Sequence, residues 1–495
     1  MKMMVMVRTT ALVAGVMVMA GCGTTYKHSD YSKSIIKNFS GGEYDKPLTD
    51  KNGKNPVNWE KAAIEKPEPV DTLLWQLENA TVLRTKGDFA KSDAAFEKVR
   101  DMYMENLDAA KIRIRDVGDL LTSPANSRYW GTGCDGLMIN LYQTLNSLQS
   151  GNIEAARVNI TRSYLLQQEI VENNAKRIEK EKEAIEKDKN AKQGASNEEN
   201  QAKVAEFSAN AMFDLAYVDA SMKAYADYVN PFAVYLDGLF HYAQNDTDRA
   251  RRSFERVRAF EPDNETVKAD HEATCAGQPI RPSVYVIFET GMAPYLTEVK
   301  KEIWIPAMTI AAAFQIDTTY VPTYVGVAYP KLVPTPNSVP HIIVTTPKAG
   351  ATQRVMSMDA VIGKEFENNF PSVMTKAIAS TILKTTAAVG ANAAVIKLIK
   401  KPGASAWQII AGEAAARALT ALITKGFTVA DIRSWQTLPK EFQVLRCDMP
   451  ADRLVALATP DGRWKQNVTV MAGDVVVVYV KSAGSTVSVN QFKLK

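Results

Sequence analysis

The apolar period of this 495-residue chain changes near Gly277, and that change dictates the order of its layers. Before it, apolar residues recur at helical spacing. After it come short runs rich in Val, Ile and Tyr, punctuated by Pro322, Pro330, Pro334, Pro336 and Pro340. Expected strands are Val284–Glu289, Glu302–Ile305, Tyr320–Ala328 and His341–Thr345, then Phe442–Arg446, Asn467–Met471, Val475–Val480 and Val487–Leu494. Between the two sets lie Ala-rich helical stretches over about 370–424. The order predicts a multidomain chain: an all-α region over 71–276, then an α+β region over 277–495. With 46% hydrophobic and 23% charged residues, sizeable cores can form. A mainly disordered chain, a collagen-like fibre and a disulfide-dense mini-protein are excluded.

Three units in the helical region read as two helices joined by a tight turn. The first runs from Leu73 to Arg84, turns at Lys86–Phe89 and continues through Ala94, Ala95, Phe96 and Val99. The second spans Leu141 to Arg162 and turns at Ser150–Ile153; the third spans Pro231 to Asp263 and turns at Gln244–Asp246. Ala80 and Gly238 fall where paired helices need small residues, and Trp75, Phe89, Phe96, Phe254 and Phe260 are expected in the core. The units resemble tetratricopeptide repeats, each burying its apolar face only when stacked on a neighbour.

A charged helical insertion over about 164–228 separates the second and third units. Tyr164, Val171, Ile178 and Ile185 recur every seven residues, while the companion seam positions Gln168, Ala175 and Lys182 break a full coiled-coil core. This predicts a long projecting helix whose single stripe is solvated or pairs with a partner. Lys192–Asn200 is the expected hairpin tip. The Ala-rich stretches are interrupted by Lys376, Lys384, Lys397, Glu413 and Arg417, so neither makes a comfortable membrane span. Their small residues, Gly390 and Ala391 among them, would suit close helix contact in an oligomeric export assembly, which is the alternative reading.

The N-terminus predicts the compartment. Lys2 and Arg8 precede an uncharged, largely apolar run from Thr9 to Gly21 that ends at Cys22. This describes a signal peptide over 1–21. Met19-Ala20-Gly21-Cys22 resembles the bacterial lipobox, which implies lipidation of Cys22 and anchoring in the envelope. Gly23, rather than aspartate, leans toward the outer membrane, with the chain facing the periplasm. Residues 22–70 are polar and broken, and are expected to form a flexible tether.

No reaction is readable. Gly131–Gly136 lacks the Gly-Lys-Ser/Thr ending of a phosphate loop. Cys134 would need a base to become a nucleophile, and no local signature links it to His28, His241, His271 or His341. A Cys134-dependent enzyme is the weakest alternative. His241 with Asp237, and His271 with Cys275, offer too few ligands for a metal. Cys134, Cys275 and Cys447 permit one disulfide or none. Basic residues are spread and balanced by acids, so nucleic acid is not an expected partner. No catalytic residue, cofactor or metal is assigned.

Several stretches are similar to a family of bacterial tetratricopeptide-like lipoproteins. They are Tyr129-Trp130-Gly131, Leu141–Asn146 with Ala155–Val158, Val284–Val286 with Phe288-Glu289 and Gly291–Pro294, and Ala430–Trp435 leading to Leu438-Pro439. The resemblance implies no known reaction. It implies an envelope lipoprotein acting as a scaffold, whose repeats present a concave face to a protein partner. Trp435 is expected to anchor the helices to the sheet.

Overall fold

A computed structural model describes residues 25–65, 67–112, 127–191, 229–304, 324–335, 339–347, 349–370, 429–484 and 486–495, with single positions between 373 and 414. A helical N-terminal half is followed by a sheet-rich α+β half, in the order the sequence predicts. Cys22, the hairpin tip at 192–200 and most of the Ala-rich stretches lie outside the described residues.

Three helix hairpins follow one another: α3 (Thr72–Thr85) with α4 (Phe89–Ile112), α5 (Gly133–Gln149) with α6 (Ile153–Ala191), and α7 (Pro231–Ala243) with α8 (Thr247–Phe260). Helix α9 (Glu265–Cys275) closes the series. The first helix of each pair ends alike. Gly87, Gly151 and Asn245 take positive φ, and two amides beyond each helix return to its last carbonyls. These paired returns, such as Asp88 N to Leu83 O and Gly87 N to Arg84 O, leave few carbonyls unpaired at the turn. The starts are capped as well: Thr132 and Asp135 form a reciprocal capping box on α5, and Asn230, Asp246 and Asn264 cap α7, α8 and α9.

The central sheet orders its strands β11 (Ser488–Lys493), β10 (Val475–Ser482), β1 (Ser283–Thr290), β7 (Glu441–Asp448) and β6 (Gln353–Ser357). Strands β1 and β10 are parallel and buried throughout, as central strands covered on both faces should be. Tyr285, Ile287, Val477, Tyr479, Phe442 and Val444 join the helices in one core. The alternate residues, Val284, Val286, Phe288, Val476, Val478 and Val480, face a second sheet through Ile342, Val344, Val455, Leu457 and Val468. That sheet orders β5 (Gly350–Ala351), β4 (Ile343–Thr346), β8 (Leu454–Ala458) and β9 (Lys465–Thr469). A separate two-stranded ribbon pairs β2 (Tyr295–Trp304) with β3 (Tyr324–Val333). Helices, sheet and second sheet thus stack in three layers. Buried residues on either side of Gly277 belong to one apolar cluster.

The expected tether is a correction. Residues 25–65 and 67–70 fold onto the body, with helix α1 (His28–Ser40), helix α2 (Trp59–Ile64) and turns around them. Tyr31, Ile35 and Phe39 lie four residues apart, and α1 buries that stripe with Leu48, Val57 and Trp59 against Trp75, Val82 and Ala483. Lys33 and Lys37 between them are exposed, which is why the segment reads as a linker.

Candidate functional site

The first helix of each hairpin is enclosed on nearly every side. Helix α5 buries every residue from Cys134 to Leu148, and α7 and α3 are buried almost throughout. What encloses them is the chain itself: the helix-facing side of the central sheet, and the segment 430–440 threaded between α3 and the strands. The concave face expected to receive a partner is therefore filled from within. Stacked helical pairs leave such a face open only when nothing in the chain packs there.

Two buried polar centres join helices to sheet. Glu289 and Lys481 are neighbours across β1 and β10, with Oε1 and Nζ 2.7 Å apart. The same carboxylate accepts Tyr142 OH from α5 at 2.9 Å and the hydroxyl of Tyr479. Arg84 of α3 lies over the rings of Tyr142 and Tyr479, at 5.1 and 5.3 Å from their centroids. Burial pushes the Glu289 carboxyl up, but Lys481 and Arg84 outweigh it and hold it below the ordinary carboxylate range. In the second centre, Asp270 of α9 accepts Tyr235 OH and Tyr285 OH at 3.0 Å each and Arg446 Nη1 at 2.5 Å. Here burial prevails, and the carboxyl is raised.

The segment Asp431–Thr437 acts as a latch. Arg433 bridges Asp431 and the buried Asp71 (2.9 Å), and Asp71 also accepts the amide of His28. Glu78 of α3 accepts the amides of Gln436 (2.8 Å) and Thr437 (3.2 Å), the Thr437 hydroxyl (2.6 Å) and a contact from His28 Nε2 (3.1 Å). Trp435 sits between Thr81, Phe96 and Tyr142, so it does anchor the helices to the chain that enters β7. Nothing in the sequence signals the partners of Glu78 or Glu289, which lie between 50 and 359 residues away.

The residues singled out for chemistry are scattered. Cys134 stands at the N-terminus of α5, where the Glu365 carboxylate accepts its amide (2.9 Å) and that of Gly133 (2.7 Å). Burial, Glu365 and Asp135 push the Cys134 thiol well up, and its Sγ contacts Met358 Sδ at 3.4 Å. This is the environment of an inert structural thiol rather than an activated nucleophile. Gly131–Gly136 forms the capped start of a helix, and Gly136 packs against the Tyr103 ring. His241 lies 3.6 Å from Asp237, whose carboxylate is already held by Arg249 and Ser253. His271 Nε2 lies 3.5 Å from Cys275 Sγ, and its Nδ1 faces Arg258. Among the described residues no three His, Cys, Asp or Glu side chains are placed to hold a metal ion. All three described cysteines are unpaired: Cys134 and Cys447 buried, Cys275 exposed.

Helix α6 leaves part of its apolar stripe on the surface. Helix α6 runs unbroken for 39 residues, about 58 Å at 1.5 Å per residue. Ile160, Leu166 and Ile170 pack into the core, while Tyr164 and Val171 of the seven-residue stripe remain 48% and 42% exposed. Gln168 donates to the Tyr164 hydroxyl at 3.0 Å, steadying that ring on the outside. Compared with known protein families, curated proteins and solved structures, the chain shows no match.

Proposed function

We propose that this chain is a lipid-anchored cell-envelope scaffold or adaptor, non-enzymatic, that offers helix α6 to a protein partner. Lipidation at Cys22 would hold it in the outer membrane, facing the periplasm. The three hairpins, with their shared turn geometry and the small Gly238 beneath Phe254, support a tetratricopeptide-like origin. Their inner face serves the chain's own sheet, so the surface for a partner is an outer one.

The observation that carries this reading is the exposed stripe of Tyr164 and Val171 on a single helix of 39 residues. Ile178 and Ile185 continue the stripe in sequence. The companion positions Gln168 and Lys182 disfavour a second copy of the same helix, because a lysine would meet a lysine in a parallel pair. A partner helix with apolar residues at heptad spacing and an acid opposite Lys182 fits instead.

The test places a photo-crosslinking residue at Tyr164 and at Val171 of the full lipoprotein in cells, with Cys22→Ala in parallel. One common protein adduct at both positions, lost or mislocated with Cys22→Ala, is expected. Adducts only with itself, or none at either position, would overturn the reading.

A further inference from the structure

The fold leaves almost no leash between the proposed lipid and the folded body. Tyr26 already bridges Pro67, its carbonyl accepts Glu68 N and Trp75 Nε1, and Thr25 bonds the Glu68 carboxylate. Only three residues lie between Cys22 and Tyr26, four Cα steps with a reach of at most about 14 Å. A bilayer's headgroup layer takes up roughly 5–7 Å of that reach on each side. With Cys22 lipidated, Tyr26 can stand no more than about 7–9 Å above the headgroup surface.

The surface around Tyr26 suits that place. Ile64 ends α2 only three residues before Pro67, and at 58% it is among the most exposed large apolar side chains described. Lys27 follows Tyr26 and has no ion-pair partner among the described residues. The nearby acids are occupied: Asp30 by Lys51 at 3.0 Å, Glu65 by Lys61 at 3.7 Å, and Asp50 by the amides of its own loop. A polar cleft of about 260 Å³, lined by Tyr26, Lys27, Asp30 and Asn55, opens beside them.

We infer that the layer formed by Tyr26–Pro67 is a membrane-contact face, with Ile64 entering the headgroup boundary and Lys27 meeting lipid phosphate. The inference rests on lipidation of Cys22, which supplies the affinity; the face sets the orientation of the body. A lone isoleucine and a lysine bind a bilayer weakly by themselves, but a lipid anchor holds them at the surface. The body then stands with its N-terminal layer down rather than swinging on a tether.

The test uses the full lipidated protein in a Cys275→Ser background, so that the exposed native thiol is removed. An environment-sensitive fluorophore is placed at Ile64→Cys or at Met471→Cys, and the protein is reconstituted in vesicles of phosphatidylethanolamine and phosphatidylglycerol. Met471 is exposed beyond the Val475 end of β10, about 23 Å of strand away from the Ala483 end that packs on the N-terminal layer. Blue-shifted emission at position 64, with at least about two-fold stronger quenching by nitroxide-labelled lipid than at 471, is expected. Adding Lys27→Glu should reduce that difference. Equal quenching at both sites on vesicle-bound protein would overturn the contact face and leave the anchor standing. Vesicle association unchanged by Cys22→Ala would overturn the anchor and the face together.

Discussion

Trp435 and Thr81 are 354 residues apart in sequence, and the indole N–H of the one donates to the hydroxyl oxygen of the other at 3.0 Å. The ring sits within about 6 Å of the Phe96 and Tyr142 ring centroids, so a single side chain touches three helices. Trp435→Ala should cost about 3–5 kcal/mol, the usual range for emptying so large a buried site. Trp435→Phe keeps most of the apolar contact, yet leaves the Thr81 and Thr437 hydroxyls without the indole donor. It should cost about 1–2 kcal/mol. Chemical denaturation monitored by circular dichroism checks both. A loss below about 1 kcal/mol for the alanine variant would show that the latch is not coupled to the core.

The Glu289–Lys481 pair sits under Tyr142 and beside Tyr479 with almost no solvent access. Removing either partner leaves a buried charge without its counter-ion. Lys481→Ala and Glu289→Ala should each destabilise by about 3–5 kcal/mol. The double variant should lose much less than the sum, because the second substitution removes the charge stranded by the first. A double-mutant cycle by urea denaturation reads this directly; additive losses would mean that the pair is not coupled.

How much of this was legible follows from which contacts are local. The hairpin turns at Gly87, Gly151 and Asn245 were readable because each rests on a few neighbouring residues. The strands β1 and β10 were readable from unbroken apolar runs. Helix α1 is hard to read because little but one stripe of it is apolar: Asp30 precedes Tyr31, Lys33 and Lys37 interrupt Tyr31, Ile35 and Phe39, and Gly41-Gly42 follows. Its four-residue spacing was the available signal. The polar centres were beyond reach, since Glu289 and Lys481 each look like the charged end of a strand until the register of β1 and β10 sets them side by side. The enclosure of the hairpins' first helices was hidden for the same reason: it depends on how two distant regions pack, not on the hairpins themselves.

Gly238 gives a test of the packing between paired helices. A Cβ built there would meet the Phe254 ring at 2.7 and 2.9 Å and the Ser253 Cβ at 3.2 Å. Phe254 is fully buried against Tyr235 and Tyr242, so it has little room to retreat. Gly238→Ala should improve local helix propensity by about 1 kcal/mol and lose about 1–3 kcal/mol to overpacking, leaving a net loss. The counterpart Gly238→Ala with Phe254→Leu should recover part of it. Melting temperatures of the two variants decide the matter; a more stable single variant would show that α7 and α8 can move apart without penalty.

Asp135 makes stability depend on pH in an unusual direction. Burial, with Glu365 adding to it, pushes its carboxyl from an ordinary value of 3.8 up to about 7, despite the hydrogen bonds from Tyr129 and Thr132 that oppose the shift. Between about pH 4 and 7 the folded chain therefore keeps a proton that the unfolded chain has released. Stability contributed by this group is complete below pH 4 and is lost as the pH rises through 7. The full effect is at most about 4 kcal/mol, at roughly 1.4 kcal/mol per pH unit. Asp135→Asn supplies a neutral group at every pH and can still accept from Tyr129 and Thr132. Its stability should fall less than that of the native chain between pH 5 and 7.5, and Glu365→Gln should shift the native transition to lower pH. Denaturation midpoints across that range measure both effects, and a parallel pH profile in the native chain and Asp135→Asn would mean that Asp135 is ionised throughout.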